Sequence, residues 1–101
     1  MPFVRAARVA ELPAGTIHEI QLDGKAVALA NVAGKFYAIN NTCLHRGGPL
    51  GQGSLLDKIV TCPWHGWEYD VTTGKLIQNP NMEVACYPTE VRGEEVFVDV
   101  A

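Results

Sequence analysis

The sequence predicts an all-β domain built from antiparallel hairpins. Long helical periodicity is absent, short runs rich in Val, Ile, Phe and Tyr recur between glycine-containing turns, and the C-terminal run alternates along its length. Residues 16–22 form a first strand, Asp23-Gly24 a tight turn, residues 25–32 a second strand, Ala33-Gly34 another turn, and residues 35–40 a third strand: a meander. Asp-Gly accepts the positive φ angles of a type I′ turn, and Gly34 brings the same freedom to its own hairpin. Residues 83–91 and 95–100 flank Arg92-Gly93-Glu94 and predict a further hairpin, with Val96, Val98 and Val100 alternating against Glu95, Phe97 and Asp99. Residues 40–82 are different: rich in Gly, Pro, Cys, His and Trp, with short candidate strands only at 58–61 and 67–70. Chemistry is expected there, because loops held by a rigid scaffold commonly carry function.

At 101 residues the chain has the length of one domain with one small core, so a single domain over residues 1–101 is expected. No apolar run approaches the roughly 18 residues of a membrane span, so no membrane partner is expected. The first twelve residues carry Arg5, Arg8 and Glu11 and no continuous apolar stretch, which does not read as a secretory signal; a cytoplasmic protein is expected. Net charge is −3, and eight scattered Lys and Arg residues make no footprint for a phosphate backbone, which argues against a nucleic-acid partner. Three cysteines are an odd number for bridges, and in a reducing compartment cysteines more often bind metal or do chemistry.

Two cysteines and two histidines fall into paired clusters, Cys43-Leu44-His45 and Cys62-Pro63-Trp64-His65, separated by the sixteen residues 46–61. Each cluster sets a thiol and an imidazole close enough to project from one loop toward one centre. Structural zinc sites commonly pair Cys with Cys and His with His, whereas each loop here supplies one of each. That mixture favours a 2Fe-2S centre of Rieske type, in which one iron takes two cysteines and the other two histidines. A zinc ion on the same four ligands, in an interaction module, is the competing reading. Cys86 is expected to be a buried, inert thiol, and His18 a partly buried or surface histidine outside the site.

The segments Cys43-Leu44-His45-Arg46-Gly47-Gly48-Pro49-Leu50 and Cys62-Pro63-Trp64-His65-Gly66-Trp67-Glu68-Tyr69 resemble the two cluster-binding loops of Rieske proteins, and the resemblance runs along nearly the whole chain. It implies a Rieske fold: an antiparallel β-sandwich with a cluster-binding subdomain, at about residues 41–82, made of two ligand loops and a proline loop. It further implies that Cys43 and Cys62 hold the inner iron and His45 and His65 the outer iron, and that Pro80 belongs to the loop covering the cluster. Arg46, Gly47, Gly48, Trp64, Gly66, Trp67 and Tyr69 surround it by the same resemblance. High-potential members carry bridging cysteines at the positions of Gly48 and Trp64 and a serine at that of Trp67. Without these, the low part of the window of about −150 to +300 mV is expected.

The loops are also similar to the Rieske domain of ring-hydroxylating oxygenases. Such an enzyme needs a second iron held by two histidines and a carboxylate, and beyond the four ligands only His18 is left. The expectation is therefore a carrier, not an enzyme: a Rieske-type ferredoxin passing electrons from a flavin-containing reductase to a terminal oxygenase by transient docking. The small Rieske-like subunit of an assimilatory nitrite reductase is the alternative within the same resemblance.

Overall fold

A computed structural model describes residues 3–64 and 66–100. Its strands are β1 (Phe3–Arg8), β2 (Ile17–Leu22), β3 (Lys25–Val32), β4 (Lys35–Asn40), β5 (Ser54–Leu56), β6 (Ile59–Thr61), β7 (Glu68–Asp70), β8 (Cys86–Tyr87), β9 (Thr89–Arg92) and β10 (Glu95–Asp99). Two single 3-10 turns, Val9–Glu11 and Leu50–Gln52, are the helical elements among the described residues. All pairings are antiparallel, in three sheets ordered β1-β10-β9, β2-β3-β4-β8 and β5-β6-β7.

The predicted meander is β2-β3-β4. Asp23 and Gly24 take φ values of 48° and 79° between Leu22 and Lys25, and Ala33 and Gly34 take 52° and 93° between Val32 and Lys35. Both turns thus have two consecutive positive φ angles, the type I′ signature. Ala33 adopts this conformation without being glycine, and the buried Asn31 side chain supports it. Its Oδ1 accepts from the Gly34 N–H at 2.8 Å, while its Nδ2 donates to the Leu12 carbonyl at 2.7 Å.

Strand β3 is buried on both faces, which explains its unbroken apolar run Ala26-Val27-Ala28-Leu29-Ala30. Val27 and Leu29 join Leu12, Leu22, Phe36, Ala38, Val96, Val98 and Val100 in one core, against the β1-β10-β9 sheet. Ala28 and Ala30 face the other way. They join Ile39, Cys43, Leu50, Val60, Cys62, Tyr69, Val71, Leu76 and Val84 in a second core, under the β5-β6-β7 sheet. Small alanines on this face leave room for Leu50 and Tyr69, which are fully buried.

A strand at Ser54–Leu56 lies outside the two candidates expected within residues 40–82, and three further differences from the sequence reading follow. The predicted strand over 83–91 is two strands in different sheets: Cys86–Tyr87 pairs with β4, and Thr89–Arg92 pairs with β10. Pro88 divides them, because it has no N–H for a ladder; its carbonyl still accepts from Asp99 at 3.0 Å. Strand β1 was not predicted, since a bulge between Arg5 and Ala7 breaks the period of two by which a strand is recognised. Cys86 is exposed rather than buried: its position in an edge strand turns the thiol outward, toward the Thr72 carbonyl at 3.8 Å.

Candidate metal centre

The two ligand loops leave the second core as equivalent turns. In the first, Cys43 N–H donates to the Gly48 carbonyl at 2.9 Å, and Gly47 N–H returns to the Cys43 carbonyl at 2.8 Å. In the second, Cys62 N–H donates to the Trp67 carbonyl at 2.7 Å, and Gly66 N–H returns to the Cys62 carbonyl at 3.1 Å. Gly47 and Gly66 hold φ of 74° and 77°, which only glycine adopts without cost. The repeated Cys-x3-Gly spacing at 43–47 and 62–66 was a signal available in the sequence and not used.

Each loop is pinned from behind. Asn41, buried, accepts from Gly51 N–H through Oδ1 at 2.6 Å and from Leu50 N–H through its carbonyl at 2.7 Å, which closes the base of the first loop. Behind the second, the backbone N–H and side-chain hydroxyl of Thr72 bond Asp70 Oδ1 at 2.8 and 2.6 Å. Burial alone would raise the Asp70 pKa, but these bonds and the Lys58 ammonium outweigh it and hold the carboxyl below its usual value. Neither Asn41 nor this turn was singled out from the sequence.

The structure brings the predicted thiols to the interior and other parts of the site to the surface. Cys43 and Cys62 are buried, at 1% and 2% exposure, whereas His45, Arg46 and Trp64 are exposed. His65 lies outside the described residues. Gly48 of the first loop faces the second: a Cβ there would lie 2.7 Å from Cys62 Sγ and 3.2 Å from the Trp64 ring, so no side chain fits without displacement. The Trp67 and His45 rings stack, with centroids 4.6 Å apart and planes 17° from parallel. Pro80 lies in an exposed turn tied to the second loop through Gln78, which bonds Glu68 at N–H and carboxylate, at 3.1 and 3.2 Å. Among the described residues no three His, Cys, Asp or Glu side chains group around a single ion.

Tyr69, fully buried on β7, links the loops to the scaffold. Its hydroxyl accepts from the Leu44 N–H at 2.9 Å and lies 3.4 Å from Cys43 Sγ. Either atom of that contact can donate; a Cys43 thiolate, the form that binds metal, carries no proton, so toward it the phenol donates. Burial, then the bond to Cys43, raises the Tyr69 pKa well above its ordinary value, so the hydroxyl remains a donor at any physiological pH.

The donor chemistry narrows the class. Thiolates select soft centres, and two sheltered sulfurs, one served by a directed O–H, suit an iron–sulfur group whose sulfur atoms accept hydrogen bonds. The fold and the site are those of an iron–sulfur protein. The particular kind follows from comparison: the Rieske [2Fe-2S] domain model matches residues 3–88, and the chain belongs to that family.

The chain is 36% identical over 101 residues to the biphenyl dioxygenase ferredoxin subunit of Pseudomonas sp. strain KKS102, covering 98% of this chain and 93% of that one. It superposes on the ferredoxin of carbazole 1,9a-dioxygenase from Nocardioides aromaticivorans IC177 with a TM-score of 0.90 at 29% identity, covering 97% of both chains. A chain in a complex of reduced oxygenase and oxidised ferredoxin of carbazole 1,9a-dioxygenase gives 0.89 at 28% identity, covering 97% of this chain and 93% of that one. The cofactor is accordingly a Rieske-type 2Fe-2S cluster. The buried thiols, the Tyr69 donor and the side-chain-free approach at Gly48 fit that group.

Tyr69→Phe tests the donor. Adding an electron makes sulfur a better acceptor, so the lost bond destabilises the reduced state more than the oxidised one. A bond worth about 1 kcal/mol more to one state lowers a one-electron midpoint by roughly 40 mV. Protein-film voltammetry should register that fall with the visible spectrum retained; an unchanged or higher midpoint would show that the hydroxyl does not serve the sulfur.

Proposed function

We propose that this chain is the one-electron carrier of a ring-hydroxylating oxygenase system, taking electrons from a flavin-containing reductase and delivering them to the terminal oxygenase, in the cytoplasm. Cys43 and Cys62 hold the inner iron, and His45 and His65 hold the outer iron. Bound there, the cluster supplies a reversible one-electron couple in the low part of the Rieske range. The observation that carries this reading is the polarity of the site: both thiols are buried, while His45 on the first loop is exposed beside Leu44, at 43% exposure, and Trp64, at 56% on the second. One end of the ligand set is insulated and the other faces a partner. Three unpaired thiols suit a reducing compartment.

The exposed rim of Leu44, Arg46 and Trp64 forms a small patch, suited to redox encounters burying under about 1,200 Å². Among the described residues no helix is long and apolar enough to cross a membrane. The similarity to a biphenyl dioxygenase ferredoxin subunit, and to a chain in a complex of reduced oxygenase and oxidised ferredoxin of carbazole 1,9a-dioxygenase, supports the direction of transfer.

The test is reconstitution. Purified protein is expected to be red-brown, with iron and acid-labile sulfide in equal amounts, and once chemically reduced it should reoxidise on mixing with a ring-hydroxylating oxygenase. Trp64→Ala should slow this step while the spectrum stays intact. A colourless zinc protein, or a reduced protein that the oxygenase leaves untouched, overturns the reading. Bleaching in Trp64→Ala would assign that ring to packing against Gly48 instead of docking.

A further inference from the structure

A groove of about 500 Å³ runs beside the first ligand loop. One wall is the loop itself, with Leu44, His45 and Arg46, and the other is the segment 83–85; Cys43 and Val84, both buried, also line it. Both walls are anchored. Asn40 Oδ1 accepts the Thr42 N–H at 2.8 Å on the loop side, while the Val84 N–H to the Gly74 carbonyl and the Asn40 N–H to the Ala85 carbonyl, each 2.9 Å, tie down the other. The groove is therefore preformed, and an occupant has no loop to order. Opposite charges stand on opposite walls, Arg46 on the ligand loop and Glu83 across from it. Both residues are exposed, and neither belongs to an ion pair among the described residues. Arg46 is also the one Lys, Arg, Asp or Glu in the two ligand turns, 43–48 and 62–67, of a chain whose net charge is −3.

We propose that this groove takes a segment of the terminal oxygenase in one direction, with a carboxylate of that segment against Arg46, a basic side chain against Glu83 and an apolar one on Leu44. The proposal rests on the reading of the Leu44, Arg46 and Trp64 rim as the oxygenase's docking patch, with which the groove shares Leu44 and Arg46. Two charges of opposite sign on fixed walls select a direction as well as a charge. A segment of matching polarity gains on both sides, and a reversed one is repelled on both. The occupant lies along His45, so the contact that fixes its register also brings the acceptor to the exposed end of the site.

The experiment follows reoxidation of the chemically reduced holoprotein by the terminal oxygenase of biphenyl dioxygenase, one electron leaving the carrier and reducing the oxygenase. Voltammetry corrects each variant's rate for its own driving force. Arg46→Glu should lower the second-order rate constant about 10-fold at low salt, an effect that fades as salt screens it. Driving force does not produce that fall: a negative charge in place of a positive one disfavours the added electron and makes the reduced protein the stronger reductant. The decisive variant combines Arg46→Glu with Glu83→Lys, which leaves the net charge at −3 and reverses the groove's polarity. Its rate should stay more than about 5-fold below wild type. A rate closer to wild type would show that only net charge matters and overturns the proposal, as do wild-type rates in Arg46→Glu. Slowed reduction by a flavin-containing reductase with reoxidation unchanged would assign the groove to that partner and overturns it too. Where Arg46→Glu does not retain its iron, Glu83→Lys alone, on the wall without a proposed ligand, takes its place, and wild-type rates there count equally against the groove. A wild-type protein that the oxygenase leaves reduced would overturn the docking reading itself, and is distinct from a reactive wild type that its variants match.

Discussion

Replacing Cys62 by alanine is expected to abolish the cluster: the purified variant should be colourless, with iron and sulfide reduced below roughly a tenth of the wild-type content, because metal affinity depends on each deprotonated ligand. Cys62 sits at 2% exposure, and Gly48 brings only backbone toward its Sγ. The variant should still fold. The core between the β1-β10-β9 sheet and the meander, built on Val27, Leu29, Phe36, Val96 and Val98, contains no ligand, so a β-type circular dichroism spectrum should survive the loss of colour. Thermal stability should fall as well, since a group that binds only the folded state stabilises it by mass action. Cys86→Ala is the matched control. That thiol is exposed on a sheet edge, and its removal should leave colour and iron unchanged. A Cys62→Ala protein with the wild-type visible spectrum would mean that the inner iron is held elsewhere.

The second large effect is expected at a residue that binds nothing. Gly74 has φ of +81°, and a Cβ there would lie 2.3 Å from the Val84 carbonyl oxygen. Alanine would suffer twice: a left-handed backbone costs on the order of 1 kcal/mol for a non-glycine residue, and a backbone clash that must be relieved costs about 1–3 kcal/mol more. A total of about 2–4 kcal/mol lowers Tm by more than roughly 10 °C in a domain of this size. The damage would reach the site, because this contact closes the segment carrying Pro80. Val84 N–H donates to the Gly74 carbonyl at 2.9 Å, and Leu76 N–H donates to the Met82 carbonyl at 2.9 Å. Gly15→Ala separates the two contributions: its φ is +85° but nothing lies within 4 Å of the added Cβ. Thermal melts in which the two variants lose equal stability would show that the Gly74–Val84 approach is not tight.

Both expectations draw on contacts of unequal visibility in the sequence. The proposed ligand pairs stand out because the Cys and His of each loop are two or three residues apart, and the meander was legible because type I′ turns need particular residues at fixed positions. Tyr69 could be assigned to the site through family resemblance, but its bond to Cys43 crosses 26 residues and no spacing rule specifies it. The strand split at Pro88 had a visible cause that the alternating apolar run concealed. The outward Cys86 thiol had none, since burial of a two-residue edge strand depends on what packs beside it.

What the sequence by itself determined here is local: the turn types of the meander, and the two Cys/His clusters that single out the candidate loops, which follow from residue type and short-range geometry. The tertiary structure decided everything that joins distant segments. The Tyr69 hydroxyl meets Cys43 sulfur, the Trp67 ring meets His45, Gly48 faces Cys62 and Gly74 faces Val84 only because three antiparallel sheets stack around two cores. Such meetings depend on register and packing summed over the whole chain, and no local pattern of residues encodes them.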